Sequence, residues 1–140
     1  MGSKQGARPQ ANVASQNRLV LIVEDDFILR SALAELLRDE GYTVECAANG
    51  VEALRRVLRS PQPALVLLDI MLPHMDGLTF RATQLALPVV ADIPVIVISA
   101  AGAGRGAAGL AFTRTFAKPI DTPLLLASIR EIIDSVPSTA

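Results

Sequence analysis

A doubly wound α/β fold on a five-stranded parallel sheet is predicted by three features of the sequence. Short apolar runs alternate with stretches of helical periodicity, the central runs contain no polar residue until they end, and each of those ends on an acid or a hydroxyl. An unbroken apolar run suits a strand covered by helices on both faces, the usual environment in a parallel sheet. The polar residue that closes it marks the carboxyl edge, where such sheets assemble their sites.

Taken in order, Arg18 to Val23 (RLVLIV) is the first strand and runs into Glu24-Asp25-Asp26. A helix is predicted from Asp26 to Glu40, with Leu29, Leu33, Leu36 and Leu37 on one face and Gly41 as its stop. Thr43 to Ala47 is a short strand, and Asn49-Gly50 opens a second helix whose apolar face is Val51, Leu54, Val57 and Leu58. Arg55, Arg56 and Arg59 fall off that face and are expected in solvent. Ala64 to Leu68 is the central strand and delivers Asp69 to the edge, after which Pro73 and Asp76-Gly77 close a loop. A third helix is predicted from Gly77 to Leu87, a fourth strand from Val95 to Ile98 ending in Ser99, and a fifth from Phe112 to Ala117 ending in Lys118-Pro119. Asp121-Thr122-Pro123 caps the last helix, with Leu125, Ile129, Ile132 and Val136 as its core stripe and Leu124 outside it.

Composition bounds the function. The 140 residues are 51% hydrophobic, enough for one domain that buries about two thirds of its unfolded surface. That domain is expected over 18–137, after a polar, disordered tail at 1–17 and before a short tail at 138–140. A net charge of −1 argues against a nucleic-acid partner, which selects a basic face. No apolar segment is long enough to span a membrane, and a single cysteine, Cys46, expected as a small buried side chain, fits a cytoplasmic protein.

In the flavodoxin-like strand order 2-1-3-4-5, strands one and three are neighbours and ligands bind between their carboxyl ends. That order sets Glu24 and Asp25 beside Asp69, with Ser99 and Lys118 on the same edge. Clustered carboxylates repel one another and need a cation, and a small set of oxygen ligands suits Mg2+. A carboxylate beside such an ion can attack phosphorus to give an aspartyl phosphate. Lys118 is suited to pair with the transferring oxygens, and the Ser99 hydroxyl to bond the new phosphoryl group.

With those residues in hand, the chain resembles the response-regulator receiver domain of two-component signalling. LIVEDD, LVLLDIMLPHMDG, VIVISA and FAKPI carry the resemblance, which covers about residues 18–136. It implies that Asp69 is phosphorylated by a histidine kinase or histidine phosphotransfer protein, and that Asp25 and Asp69 bind Mg2+ directly. It further implies that Glu24 acts on the metal through water, the Met71 carbonyl completes the ligand set, Lys118 holds the phosphoryl group and Ser99 swings toward it. The chain is expected to act as a stand-alone receiver, a phosphorylation-controlled module without an enzymatic or DNA-binding output domain that is read by a downstream protein, and the resemblance implies that it can form a homodimer.

The sequence departs from that pattern in two places. The aromatic residue that receivers usually carry three positions before the lysine is Thr115 here. The segment Ala100 to Leu110 contains Gly102, Gly104, Gly106 and Gly109, at about 1 kcal/mol each in a helix, so the fourth of five helices is expected to be short or disordered. Its ordering on phosphorylation is the expected alternative to an aromatic flip. A second function class, a Mg2+-dependent phosphohydrolase acting through an aspartyl phosphate, would need an acid two residues after Asp69, where Met71 stands.

Overall fold

The structure, a computed structural model, describes residues 17–70, 76–99 and 112–135. Among them are β1 (Leu19–Val23), α1 (Phe27–Asp39), β2 (Thr43–Ala47), α2 (Gly50–Val57), β3 (Leu65–Asp69), α3 (Gly77–Leu85), β4 (Val95–Ser99), β5 (Arg114–Ala117) and α4 (Thr122–Ser135). All strands are parallel and pair in the order β2-β1-β3-β4-β5, as predicted. The tail at 1–16, Met71, the glycine-rich segment with its expected fourth helix, and 136–140 lie outside the described residues.

β1, β3 and β4 are buried at every position, and alternate residues feed two cores. Val20, Ile22, Leu65, Leu67, Ile96 and Ile98 pack with Leu33 and Leu37 of α1 and Leu125 and Ile129 of α4. Leu21, Val23, Val66, Leu68, Val95 and Val97 pack on the other face with Ala53 and Val57 of α2 and Phe80 of α3. Each such side chain contributes about 1.5–3 kcal/mol of transfer free energy. With both faces apolar, alternation alone does not fix the register. The polar ends do so, because a slip that drew Asp69 in among the apolar positions would cost several kcal/mol.

The helices start where predicted because their caps are local. Asp26 Oδ1 accepts from the Ile28 and Leu29 amides, Asn49 Oδ1 from Glu52, Asp76 Oδ1 from Thr79 and Asp121 Oδ1 from Leu124. Each bond satisfies an amide that the helix itself leaves open. Leu124 is 55% exposed, outside the core stripe as its position implied. Phe112 and Phe116 pack against the two cores, one on each face.

Two expectations are corrected. Cys46 is exposed, because β2 is an edge strand in which only Val44 and Ala47 are buried. Arg56 is not in solvent but 7% exposed. Its Nε donates to Glu45 Oε1, its Nη1 to the Arg59 carbonyl at 2.9 Å and its Nη2 to the Pro61 carbonyl at 2.9 Å. The guanidinium fork thus ties β2 to the turn after α2, and its donors are used closely enough for burial.

Candidate functional site

β1 and β3 end side by side, with Val23 in register with Leu68. One residue further along each strand stand Glu24 and Asp69, only 3% and 5% exposed. The exposed Asp25 joins them, and one carboxylate oxygen from each of the three acids lies within 4.8 Å of the other two. β4 carries Ser99, buried, one residue beyond the Ile98 that registers with Asp69. From β5, Lys118 reaches in with Nζ 3.5 Å from Glu24 Oε1 and 3.6 Å from Asp69 Oδ2. Its backbone amide donates to the Ser99 carbonyl at 2.8 Å, continuing the β4–β5 ladder to the edge. Glu24, Asp25, Asp69, Ser99 and Lys118 are therefore brought together on one edge, while Met71 falls outside the described residues.

The electrostatics of this edge are dominated by crowding of like charge. Burial, together with the hydrogen bond and repulsion from Asp69, pushes the Glu24 carboxyl up to about 7, against the opposing pull of the Asp26 amide and Lys118. Near neutral pH Glu24 is therefore still partly protonated, and a cation can displace that proton. The donor set is all carboxylate oxygen and three ligands are close enough to share one ion, which fits a hard divalent cation such as Mg2+.

Gly77 and Arg30 make contacts here that motif and periodicity reading do not show. Gly77 opens α3 directly beneath the end of β3. Its amide donates to the Ile70 carbonyl at 2.7 Å, and a Cβ there would meet Ile70 Cα at 2.6 Å and the Asp69 carbonyl at 2.8 Å. Both neighbours are backbone, so only glycine lets α3 start this close to Asp69. Gly77→Ala is expected to destabilise the fold by about 2 kcal/mol, the range of an overpacked site. Urea unfolding checks it, and a midpoint equal to wild type would show that the contact yields freely. The Asp-Gly dipeptide signals a turn but carries no sign of that tertiary contact. Arg30 bonds the carbonyls of Glu24 and Asp25, an arrangement that no spacing rule announces.

Comparison with known proteins agrees with this geometry. A family model described as the response regulator receiver domain matches residues 20–130. Response regulator MprA of Mycobacterium ulcerans is 39% identical over 85 residues, 58% of this chain and 34% of the relative. The transcriptional regulatory protein CpxR homolog of Haemophilus influenzae is 40% identical over 83 residues, 59% of this chain and 34% of the relative. The chain thus spans about a third of the length of these curated relatives. Among solved structures, the signal receiver domain of a histidine kinase from Syntrophus aciditrophicus superposes with a TM-score of 0.79 at 27% identity, covering 87% of this chain and 94% of that one. The receiver domain of a sensor histidine kinase from Pseudomonas aeruginosa, crystallised with a magnesium ion coordinated in its active-site cleft, gives 0.78 at 25% identity, covering 85% of this chain and 99% of that one. With the predicted strand order, the clustered acids and a family match over most of its length, the chain belongs to the response regulator receiver domain family of two-component signalling.

Proposed function

We propose that this receiver is controlled by phosphorylation of Asp69, with Mg2+ as cofactor and a histidine kinase or histidine phosphotransfer protein as donor. The observation that carries the reading is the placement of Lys118, whose ammonium spans Glu24 and Asp69 at 3.5 and 3.6 Å at the mouth of a three-acid cluster. Asp25 and Asp69 would hold the metal directly and Glu24 through water, with Met71 as the backbone ligand that the family resemblance adds. When bound, the ion supplies neutralising charge to the phosphoryl oxygens.

The chain's own residues do the rest. Asp69 stands at the end of a rigid central strand, so its oxygen is presented to an incoming phosphorus with little freedom to lose. The Asp69 oxygen forms the new O–P bond as the P–N bond of the donor breaks, and the electron pair leaves with the imidazole. Lys118, held by its backbone to β4, shifts from carboxylate to phosphoryl oxygen, and the Ser99 hydroxyl donates to the same group. Output is then a phosphorylation-dependent protein interaction rather than catalysis or contact with nucleic acid. Thr115, exposed on β5 where the family usually has an aromatic ring, offers no ring to rotate inward. The reading the sequence favours is that ordering of Gly102 to Gly109, rather than an aromatic flip, reports phosphorylation.

The test is intact mass after incubation with a small phosphodonor, with and without Mg2+. A single phosphoryl adduct that forms only with the metal is expected. An intact fold that gains no adduct under either condition would overturn the phosphorylation reading.

A further inference from the structure

We propose that Arg30 is a positioning residue that fixes the acidic loop in the geometry required for divalent-cation binding, and that Phe27 serves to orient it. The inference rests on the metal site proposed above and extends it to residues outside the acid cluster.

β1 makes its last ladder-like contact through the Glu24 amide, which donates to the Ala47 carbonyl at 3.0 Å. Beyond that bond the chain leaves the sheet, and the Glu24 and Asp25 carbonyls have no neighbouring strand to serve them. Arg30 Nη1 takes both, at 2.7 Å and 3.4 Å. The backbone amide of Arg30 donates to the Asp26 carbonyl at 2.9 Å, so the same residue belongs to α1 and grips the loop that precedes it. Its guanidinium lies 5.5 Å from the centroid of the Phe27 ring. Phe27 is 68% exposed, and its cation–π contact limits the wandering of the long Arg30 side chain.

The acids themselves make such an anchor necessary. Three carboxyl groups within 4.8 Å push one another apart, and two of them are carried by the segment where β1 leaves the sheet. A loop held by its carbonyls keeps Glu24 and Asp25 facing Asp69 before the ion arrives, so binding need not order it. Coulomb attraction alone gives the opposite expectation. An arginine close to the site repels a dication, so removing it should tighten binding if charge were its only contribution.

That opposition of sign makes the experiment decisive. Amide-NMR titration with Mg2+ alone is carried out on the wild type, Arg30→Met, Arg30→Lys, Phe27→Ala and, as control, Arg55→Met, an exposed arginine on α2. The wild type and control are expected to bind alike. Arg30→Met is expected to bind about tenfold more weakly, the size of effect seen when groups behind metal ligands are lost. Arg30→Lys and Phe27→Ala should fall between, and they keep the test open if Arg30→Met does not fold. An affinity for Mg2+ in Arg30→Met, or in both milder variants, equal to or tighter than wild type would overturn the proposal. Absence of Mg2+ shifts in the wild type would instead defeat the metal reading on which it rests.

Discussion

Asp69→Asn is expected to abolish metal-dependent phosphoryl incorporation and, at the same time, to make the metal-free protein more stable at pH 8. The first effect is loss of the nucleophile, since an amide oxygen cannot form the acyl phosphate. The second follows from the crowding at the edge. Asp69 raises the Glu24 carboxyl both by hydrogen bonding and by repulsion, and the amide removes the repulsion while its Nδ2 can donate to Glu24. Burial is the larger cause of the Glu24 shift and persists in the variant, so the gain should be only a part of what the whole shift costs. Lys118 loses its contact at 3.6 Å but retains Glu24 at 3.5 Å, so the ammonium is not stranded. Added Mg2+ should then stabilise the variant far less than the wild type, for which an ion at a hundredfold over its dissociation constant contributes about 2.7 kcal/mol. Intact mass and thermal unfolding with and without Mg2+ test both halves. An adduct that survives the substitution would place the phosphoryl group elsewhere, and an unchanged or lower metal-free stability would show that the acids are not in conflict.

The sheet and the residues of the edge were legible in the sequence because they depend on local signals. A strand buried on both faces must be apolar throughout, so β1, β3 and β4 announce themselves, and the first polar residue after each is placed at the edge by that fact alone. Asp26, Asn49, Asp76 and Asp121 cap helices through bonds that reach only two or three residues ahead. What could not be read depends on partners distant in sequence or in space. Arg56 looks like a surface residue until Glu45, eleven positions earlier on β2, and two loop carbonyls are brought to it. Cys46 resembles a core residue in composition, which predicts burial, although the predicted strand order already places β2 at an edge, where the residue is exposed. Gly77 is required by a contact with the end of β3, and Arg30 by carbonyls that become available only where β1 leaves the sheet. Periodicity cannot register a bond to a main-chain oxygen. The acids could therefore be found from sequence, whereas the residues that hold them in place could not.

The conflict between those acids should also set the pH dependence of stability. The Glu24 carboxyl stands at about 7 in the folded protein against an ordinary value of 4.5, mainly through burial. Below 4.5 folded and unfolded chains both carry the proton, and the group has no effect. Between 4.5 and 7 the unfolded chain releases the proton and the folded one keeps it, so stability falls as pH rises. Above 7 the loss levels off near about 3 kcal/mol, the full shift converted to free energy. Glu45 acts in the opposite sense. Its carboxyl is held below the usual range, chiefly by its hydrogen bond to Arg56, and it withdraws stability as acid protonates it. The metal-free protein should therefore be most stable on the acid side of neutrality, between the range where Glu45 protonates and the range where Glu24 ionises. Saturating Mg2+ should flatten the trend, because an ion that displaces the Glu24 proton leaves the group ionised in the folded protein as it is in the unfolded chain. Melting curves between pH 5 and pH 8, in chelator and in Mg2+, are the measurement, with Glu24→Gln as control. A melting temperature in chelator that decreases by on the order of 10 °C across that range, with a flatter profile in the glutamine variant, is the expected result. A wild-type profile that is level or rises toward pH 8 would show that Glu24 ionises in the folded protein as readily as in the unfolded chain.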